Sequence, residues 1–299
     1  MFSSFVVSEN QYVATLAGIR LTLKREDQIH SQVSGNKYRK LKYNFLEIQK
    51  QVNPLVLTFG GAFSNHLAAV AAAGATLNIP VIGLVRGQEW ASQWHQSPTL
   101  AFCHSQGMQL RFLTRDQYRN KDIPSDLATI PHRLLPEGGT NQLAIKGCME
   151  ILSLEEANYD TICCCVGTGG TLAGLIESSQ AQQTILGFPA VKHTNLENDI
   201  RQWTNKTNWQ LIPGFTFGGY AKVNDTLVTF MNNFYKKYQI PLDPIYTGKM
   251  LFGIFDLIKQ GQWQWGKNLL IIHSGGLQGI AGFNQRRLAL GNLPLEYAC

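Results

Sequence analysis

The sequence predicts an α/β protein assembled from parallel βαβ units. Short β-branched runs alternate with helical patterns along the 299 residues, as expected for strands joined by crossover helices. Several predicted strands end at glycine-rich turns, where the ligands of open α/β sheets bind. The number of units is enough for two lobes with a ligand between them, and the length allows a substantial core.

The first units fall in the first half of the chain. Residues 55–59 are predicted as a strand that ends at two glycines, and the alanine-rich residues 65–73 as a helix. A strand at 81–85, a helix at 95–105 and a strand at 109–113 follow. Residues 116–132, which contain two prolines, are the most loop-like part of the chain.

The later units repeat this order. Residues 161–166 are predicted as a strand, 167–170 as a glycine-rich turn and 171–178 as a helix. Another strand is predicted at 184–191. A last strand, 269–273, is closed by Ser274-Gly275-Gly276.

Composition favours a small-molecule partner. The formal charge is +6, but the basic residues are scattered and no nucleic-acid-binding module is found, so no nucleic-acid partner is predicted. The densest basic cluster, residues 37–42, suits a small anionic ligand. The longest apolar stretch, 67–85, is interrupted by Gly74, Asn78 and Pro80, which predicts no membrane span.

Three consecutive cysteines, Cys163, Cys164 and Cys165, fall inside one predicted strand. Successive strand side chains point to opposite faces, so the three cannot bind one metal ion. The six cysteines of the chain show no zinc-type spacing. We interpret the three as small apolar core residues, predict no metal site, and expect a reducing cytosol.

The first of four segments that could carry chemistry is Ser34-Gly35-Asn36-Lys37-Tyr38-Arg39-Lys40-Leu41. A lysine whose pKa is lowered by burial or by neighbouring cations can form a Schiff base with an aldehyde cofactor. Arg39 and Lys40 are both expected to lower the pKa of Lys37. The alternative is a solvated basic face, which is what most charge runs form.

The second segment, Gly60-Gly61-Ala62-Phe63-Ser64-Asn65-His66, joins a predicted strand to a predicted helix. Free N–H groups at a helix start attract anions, here a substrate carboxylate. The alternative is that Ser64 or Asn65 simply caps the helix. A hydrolase nucleophile elbow is disfavoured, because Ala62 and His66 occupy the places that need glycine.

The third segment, Val166-Gly167-Thr168-Gly169-Gly170-Thr171, also joins a strand to a helix. Its glycines and threonines suit a phosphate group. The segment lacks the lysine of a Walker loop. A dinucleotide site needs an acidic residue after the next strand, and here that residue is Lys192, so a lone phosphate group fits better. The fourth segment, residues 273–276, is either a ligand-facing strand end or a plain turn.

Together these segments resemble the fold-type II pyridoxal-phosphate (PLP) enzymes, the tryptophan synthase β-subunit class. More narrowly they are similar to the 1-aminocyclopropane-1-carboxylate (ACC) deaminase and D-cysteine desulfhydrase family. The matching stretches follow the family's order: Leu23-Lys24-Arg25-Glu26-Asp27, Ser34 to Leu41, Gly60 to His66, Pro136-Glu137-Gly138-Gly139-Thr140-Asn141, Gly167 to Gly174, Asp243-Pro244-Ile245-Tyr246-Thr247-Gly248-Lys249 and Ser274-Gly275-Gly276. The resemblance implies PLP as cofactor and two domains, each a twisted, mostly parallel sheet flanked by helices.

The resemblance also implies roles for individual residues. Lys37 would hold the cofactor, Asn65 would hydrogen-bond its ring hydroxyl oxygen, and Ser274 would face its pyridine nitrogen. The phosphate would be held by Gly167, Thr168, Gly169, Gly170 and Thr171. The substrate would face Ser64, Asn65, His66, Tyr220 and Tyr246, with Ser64 binding its carboxylate or assisting proton transfer, and the two tyrosines positioning it or moving protons.

The same resemblance gives expectations for the whole chain. Residues 1–33 and 146–299 would form a larger PLP-binding domain. Residues 34–145 would form a smaller domain that carries Lys37 and the Ser64-Asn65-His66 loop. A cytoplasmic homodimer is implied. The chain departs from the family pattern at Ser34, where a glycine is usual, and at residues 67–69, which leaves the substrate open.

One position distinguishes the reactions of the family. The ACC deaminases place a glutamate after the active-site tyrosine, and a carboxylate there keeps the pyridine nitrogen protonated. Here that position is Thr247, and a Ser274 hydroxyl would leave the ring a weaker electron sink. The sequence therefore predicts β-elimination of D-cysteine to pyruvate, sulfide and ammonia. ACC deamination, and binding of PLP or a phosphorylated metabolite without turnover, are the alternatives.

Overall fold

A computed structural model describes residues 1–2, 6–33 and 35–297. Its strands are β1 (Asn10–Leu16), β2 (Ile19–Lys24), β3 (Val56–Gly61), β4 (Val81–Arg86), β5 (Gln109–Leu113), β6 (Arg133–Leu135), β7 (Thr161–Val166), β8 (Thr184–Pro189), β9 (Trp209–Leu211) and β10 (Asn268–Ile272). The larger sheet has the order β1-β2-β10-β7-β8-β9, and only the pair β1/β2 is antiparallel. The smaller sheet, β5-β4-β3-β6, is parallel. The predicted fold class is confirmed.

Helices connect the strands within the described part of the chain. They are α1 (Asn36–Ile48), α2 (Asn65–Leu77), α3 (Pro98–Ser105), α4 (Arg115–Asn120), α5 (Ser125–Ala128), α6 (Gln142–Met149), α7 (Gly170–Ser178), α8 (Leu196–Arg201), α9 (Asp225–Tyr238), α10 (Thr247–Lys259) and α11 (Ile280–Ala289). Over the described residues, none of them has the length and hydropathy needed to cross a bilayer.

Both sheets are buried on both faces, as parallel sheets with crossover helices must be. In β3, Val56 and Leu57 pack into different apolar clusters. In β7, Cys163 and Cys165 pack into one cluster and Cys164 into another. The expectation that the three cysteines alternate between faces is therefore confirmed, whereas Cys299 lies outside the described residues.

The predicted and observed elements differ where local signals compete with packing. The helix predicted to end at 73 continues through Gly74 to Leu77. The glycine allows α2 to pack closely against β4, since a Cβ at this position would lie 2.3 Å from the Val81 side chain. The loop predicted at 116–132 is wrong in part, since α4 and α5 occupy it. A capping box formed by Thr114 and Gln117 starts α4.

The two sheets draw on different parts of the chain. The smaller sheet is built from residues 56–135, and the larger from residues 10–24 and 161–272. This agrees with the two predicted domains, while their boundaries stay a prediction and the one at Ser34 lies outside the described residues. The site is formed where α1 meets the ends of β7 and β10.

Candidate active site

Lys37 lies in the first turn of α1, close to the turn that follows β10. Gly35, just before the helix, has φ 63°, and a Cβ there would lie 1.9 Å from the Ser274 carbonyl oxygen. Only glycine allows this approach. The Asn36 N–H donates to the same carbonyl over 3.2 Å. The start of α1 is therefore fixed against the segment that carries Ser274.

The pKa of Lys37 is lowered to about 7, first by burial of the amine and then by the neighbouring Lys40 ammonium. Near neutral pH, much of the protein therefore has a free lone pair at this amine. The expectation that Arg39 also lowers the pKa of Lys37 is wrong. Arg39 points away from Lys37 and pairs with Glu26, with 2.8 Å between the Arg39 Nη2 and the Glu26 Oε1. Arg39 and Lys40 are both buried. The alternative interpretation of this segment as a solvated basic face is therefore excluded.

Lys40 lies three residues beyond Lys37, so both side chains extend from one face of α1. Its Nζ donates to the Gly138 carbonyl over 3.0 Å, to Thr140 Oγ1 over 3.1 Å and to Thr168 Oγ1 over 3.4 Å. The side chain is buried, and no carboxylate of the described residues is within ion-pairing distance of it. A buried cation without a counter-ion is unfavourable, so this position is suited to an anion.

The glycine-rich loop 167–171 leads from β7 into α7. Gly169 has φ 83° at the start of the helix, and the Thr168 and Thr140 hydroxyl oxygens are 2.7 Å apart. The Asn36 amide donates to Thr171 Oγ1 over 2.9 Å. The first N–H groups of α7 and the Lys40 ammonium thus lie at one loop, an arrangement that favours a phosphate.

These groups line one cleft, which encloses about 670 Å³ of space that is partly open to solvent. The predicted site residues that line it are Lys37, Asn65, Gly167, Thr168, Gly169, Thr171, Tyr246 and Ser274. The other four, Ser64, His66, Gly170 and Tyr220, lie close by but outside its wall. Asn36 and Cys165 also line the cleft, and sequence reasoning gave neither of them a role there.

Ser64 caps α2, since its Oγ accepts the Leu67 N–H over 3.2 Å. The helix-cap interpretation is therefore confirmed for this residue. The same geometry leaves the N–H groups of Asn65 and His66 at the open end of a 13-residue helix. That end is attractive to a carboxylate.

His66 is buried behind the cleft, and its Nε2 lies 2.8 Å from Thr58 Oγ1. The Thr58 hydroxyl donates to the Leu135 carbonyl, so Nε2 carries the ring proton and donates to Thr58. Burial, and then the charges of Lys37 and Lys40, hold the pKa of His66 well below its usual value. The ring is therefore neutral, and its Nδ1 has no partner among the described residues.

Tyr246 immediately precedes α10, where the Asp243 carboxylate accepts the N–H groups of Ile245, Tyr246 and Thr247. Burial raises the pKa of Tyr246 well above its usual value, so the hydroxyl keeps its proton. Its ring centroid is 6.4 Å from that of Tyr220. The two tyrosines therefore stand side by side at the edge of the cleft.

Tyr220 is carried by a strained loop. Phe217 and Ala221 have φ 53° and 55°, values that L residues adopt at a cost. The loop is tied down by Lys249 of α10, whose Nζ donates to the carbonyls of Thr216 and Gly219 over 2.9 and 2.8 Å. Burial lowers the pKa of Lys249 to about 8.

Ser274 faces the cleft with its hydroxyl 3.1 Å from Cys165 Sγ. Cys165 is thus both a core residue and part of the cleft wall, which its place at the carboxyl end of β7 could have indicated. Thr247 differs, because its side chain is fully buried, does not line the cleft, and has no hydrogen-bond partner for Oγ1 among the described residues.

Comparison with known proteins identifies the family. The sequence model of the family described as "Pyridoxal-phosphate dependent enzyme" matches residues 9–275. The chain belongs to this family. Among the members of this family, a Pyrococcus horikoshii protein named "Putative 1-aminocyclopropane-1-carboxylate deaminase" is 26% identical to this chain. The match covers 94% of this chain and 92% of that protein. The chain is also 26% identical to the mitochondrial bifunctional D-cysteine desulfhydrase/ACC deaminase of Arabidopsis thaliana, over 88% of this chain and 74% of that one.

Solved structures support the same fold. A crystal structure described as an ACC deaminase homologue superposes with a TM-score of 0.79 at 24% identity, covering 96% of this chain and 95% of that one. The processed form of threonine deaminase isoform 2 from Solanum lycopersicum has a TM-score of 0.62 at 16% identity, over 90% of this chain and 79% of that one. The resemblance to the fold-type II PLP enzymes is confirmed.

The cleft fits the cofactor in three respects. The Lys40 ammonium and the α7 N-terminus suit the phosphate, the weakly basic Lys37 amine suits the aldehyde, and the Ser274 hydroxyl can hydrogen-bond a ring nitrogen. All three belong to the wall of one cleft. The PLP enzyme therefore has, in one place, a group for each end of the cofactor.

Proposed function

We propose that the PLP enzyme catalyses β-elimination from a small amino acid, with D-cysteine as the leading candidate. The observation that carries this proposal is the composition of the cleft wall. Among its described residues there is no Asp or Glu, so no carboxylate lines the cleft to keep a ring nitrogen protonated. A ring bonded by a hydroxyl is a weaker electron sink, which suits a substrate whose β-substituent leaves readily.

Asp243 is the carboxylate that acts electrostatically on Lys37 and Tyr246. It is 1% exposed, and both of its oxygens accept backbone N–H groups at the start of α10. This supports a capping role for Asp243. Thr247, at the position that distinguishes the ACC deaminases, contributes no charge.

Bound PLP would supply an aldehyde for the substrate amine and a ring that makes the Cα proton acidic. Lys37 would hold the cofactor and, with its lowered pKa, accept and return the proton at Cα. We expect the carboxylate of the substrate to bind at the α2 N-terminus, beside Ser64 and Asn65. Tyr246, which keeps its proton, would donate a hydrogen bond to the substrate or the departing group.

The phosphate would be held by the loop 167–171, which includes Gly170, together with Lys40. Asn65, in the cleft wall, would bond the ring hydroxyl oxygen, and His66 would support the substrate side from behind. Tyr220, next to Tyr246, would close the edge of the site. For cysteine, the net reaction consumes one water and yields pyruvate, sulfide and ammonia.

The test is an amino-acid panel on the PLP-loaded protein. D-cysteine, L-cysteine and ACC would be incubated separately, with sulfide and keto acid as products. Sulfide and keto acid in equal amounts from a cysteine support the proposal, and Lys37→Ala should abolish both along with the visible absorbance of bound PLP. Keto acid from ACC alone would contradict it and support ACC deamination, which the names of the relatives favour.

We also propose a cytoplasmic homodimer. All five cysteines in the described part of the chain are unpaired and buried, which suits a reducing compartment. Light scattering on the purified enzyme should give twice the mass of one chain. A single-chain mass would contradict the dimer.

A further inference from the structure

A second cleft, which we call the basic cleft, lies beside the active site. It encloses about 1260 Å³ of space, including open solvent, and is lined by more cations than carboxylates. The cations are Arg86, Arg115, Arg119, Lys121 and Arg286. The two carboxylates in its wall are those of Glu89 and Glu137.

The carboxylates are already engaged by part of this set. Arg115 pairs with Glu89 over 3.1 Å, and Lys121 pairs with Glu137. Arg119 pairs with a third carboxylate, that of Asp116, over 3.0 Å.

Arg86 and Arg286 have no carboxylate partner in the described part of the chain, so the basic cleft keeps a positive excess. Each of these two guanidinium groups is placed by an aromatic ring. The Arg286 carbon Cζ lies 4.5 Å from the centroid of Phe63, and the Arg86 Cζ lies 5.9 Å from that of Tyr118. A guanidinium held against a ring keeps donor N–H groups at its edge for an anion.

The basic cleft is next to the cleft that Lys37 and Ser274 line, which we call the cofactor cleft. Tyr246 belongs to the wall of the cofactor cleft, and Tyr220 stands beside it. The charges of Arg86 and Glu137 act on the Tyr220 hydroxyl. In addition, a small intervening space is lined by Asn65 of the cofactor cleft and by Arg286 of the basic cleft. The basic cleft therefore lies on the side of the cofactor cleft that Tyr220 and Tyr246 border.

We propose that the basic cleft binds a negatively charged β-substituent of the substrate, so that the preferred amino acids are those with an anionic leaving group. This inference rests on the β-elimination proposed above and narrows its substrate from cysteine to an amino acid whose β-substituent is anionic. A zwitterion such as cysteine has no net charge and gains little from a positive field, whereas an amino acid with one more negative group is attracted. O-phosphoserine is the simplest member of this class.

The reaction of that substrate balances without a further reagent. The Cα–H bond breaks with loss of a proton, and the Cβ–O bond breaks with the electron pair leaving on phosphate. One water then completes the conversion to pyruvate and ammonia. No oxidant or reductant is required.

The experiment compares kcat/KM for two pairs of substrates on the holoenzyme, with pyruvate as the common product. The pairs are serine with O-phosphoserine and cysteine with S-sulfocysteine, each in both enantiomers. We expect the anionic member to be preferred in each pair, and the preference to fall as NaCl increases. Arg86→Gln and Arg286→Gln should each lower the preference ratio about tenfold, the effect of losing one charge-assisted hydrogen bond.

Arg20→Gln is the matched control, because Arg20 is an exposed arginine that also lies over a ring, that of Tyr12, but is on β2 and outside the basic cleft. It should leave the ratio unchanged. Titration of the holoenzyme with inorganic phosphate by calorimetry gives a readout without turnover. Binding that is weakened by Arg86→Gln and Arg286→Gln, but not by Arg20→Gln, supports the anion site.

The outcomes separate the two proposals. Pyruvate from cysteine, with no preference for the anionic partner and phosphate binding unaffected by either variant, would overturn the basic-cleft proposal and leave β-elimination standing. No pyruvate from any amino acid, with phosphate binding that depends on Arg86 and Arg286, would overturn β-elimination and still support the anion site.

Discussion

Lys37 and Lys40 extend from one face of α1, while Arg39 between them is turned into an ion pair with Glu26. The sequence predicts Lys37 as the cofactor-binding lysine, because a lysine next to Asn36 in a glycine-led segment matches the pattern of the family it resembles. It could not assign the neighbouring cations. Which of them acts on Lys37 depends on the rotation of about 100° per helical residue and on the ion pair with Glu26, which belongs to a different element, before α1 begins.

The lowered pKa of Lys37 predicts how the rate of PLP uptake depends on pH. With a pKa of about 7, the amine is protonated and unreactive below pH 7 and free above it, so the uptake rate should rise through a midpoint near pH 7. Stopped-flow absorbance of apoprotein mixed with PLP measures this rate. A midpoint near about 10, as for an exposed lysine, would contradict the burial seen at Lys37.

Lys40→Met should change this behaviour in two ways. Removal of the neighbouring cation should move the uptake midpoint to higher pH, because Lys40 lowers the pKa of Lys37. Loss of the phosphate's counter-charge should weaken PLP binding about tenfold or more. Lys50→Met is the control, since Lys50 lies just past α1 with its side chain 69% exposed. Equal PLP affinity in both variants would exclude the phosphate role of Lys40.

At the scale of elements, the sequence located units whose signal is local. The bounds of β7 agree with the predicted strand 161–166 because six buried residues are followed directly by the glycine-rich loop. The hairpin β1/β2 had no such signal, since exposed and buried residues mix in β1. The strand β2 owes its place to parallel pairing with β10, more than 240 residues later, which no local pattern contains.

The Tyr220 loop shows the same limit within the site. Its strained backbone is held by Lys249, and a lysine in a polar motif gives no sign that its amine binds two carbonyl groups of another segment. Lys249→Met should remove those hydrogen bonds. We expect faster amide exchange at Gly219 and Lys222, whose N–H groups close the turns of this loop.

Lys249 also has a defined pH signature. Its pKa of about 8 in the folded protein lies below the unfolded value of about 10.4. Between these values the unfolded chain binds more protons, so this group makes the free energy of unfolding rise with pH, by up to about 3 kcal/mol. Urea unfolding at about pH 7.5 and about pH 10, which together span most of this interval, measures the change in the free energy of unfolding. This free energy should rise less between the two pH values in Lys249→Met than in wild type. Lys259→Met, at the exposed end of α10, should behave as wild type.

At the scale of the molecule, the site exists because two separately built sheets meet. Glu26, which follows β2 of the larger sheet, pairs with Arg39 of α1, and Glu150 at the end of α6 pairs with Lys42 over 2.8 Å. Breaking such buried pairs leaves an uncompensated charge. The sequence predicted two lobes and the order of the site segments. It could not predict these contacts, because Lys42 and Glu150 are 108 residues apart and no local pattern pairs Glu26 with Arg39.

The approach of Gly35 to Ser274 is another close contact between these parts of the chain, and it allows a controlled test of how the lobes are joined. Gly35→Ala would force a positive φ on an L residue and place a methyl group 1.9 Å from the Ser274 carbonyl oxygen. Gly18→Ala imposes a positive φ too, 79°, but its methyl group would have no atom within 4 Å. We expect Gly18→Ala to destabilise the protein by about 1 kcal/mol and Gly35→Ala by about 3 kcal/mol or more.

Because the Gly35 contact sets the distance between Lys37 and the Ser274 turn, Gly35→Ala should also weaken PLP binding, whereas Gly18→Ala should not. Urea unfolding and PLP titration of both variants measure the two effects. Equal destabilisation with unchanged PLP affinity would show that α1 and the β10 turn can separate without loss of the site. In that case the geometry around Lys37 would not depend on the junction between the sheets.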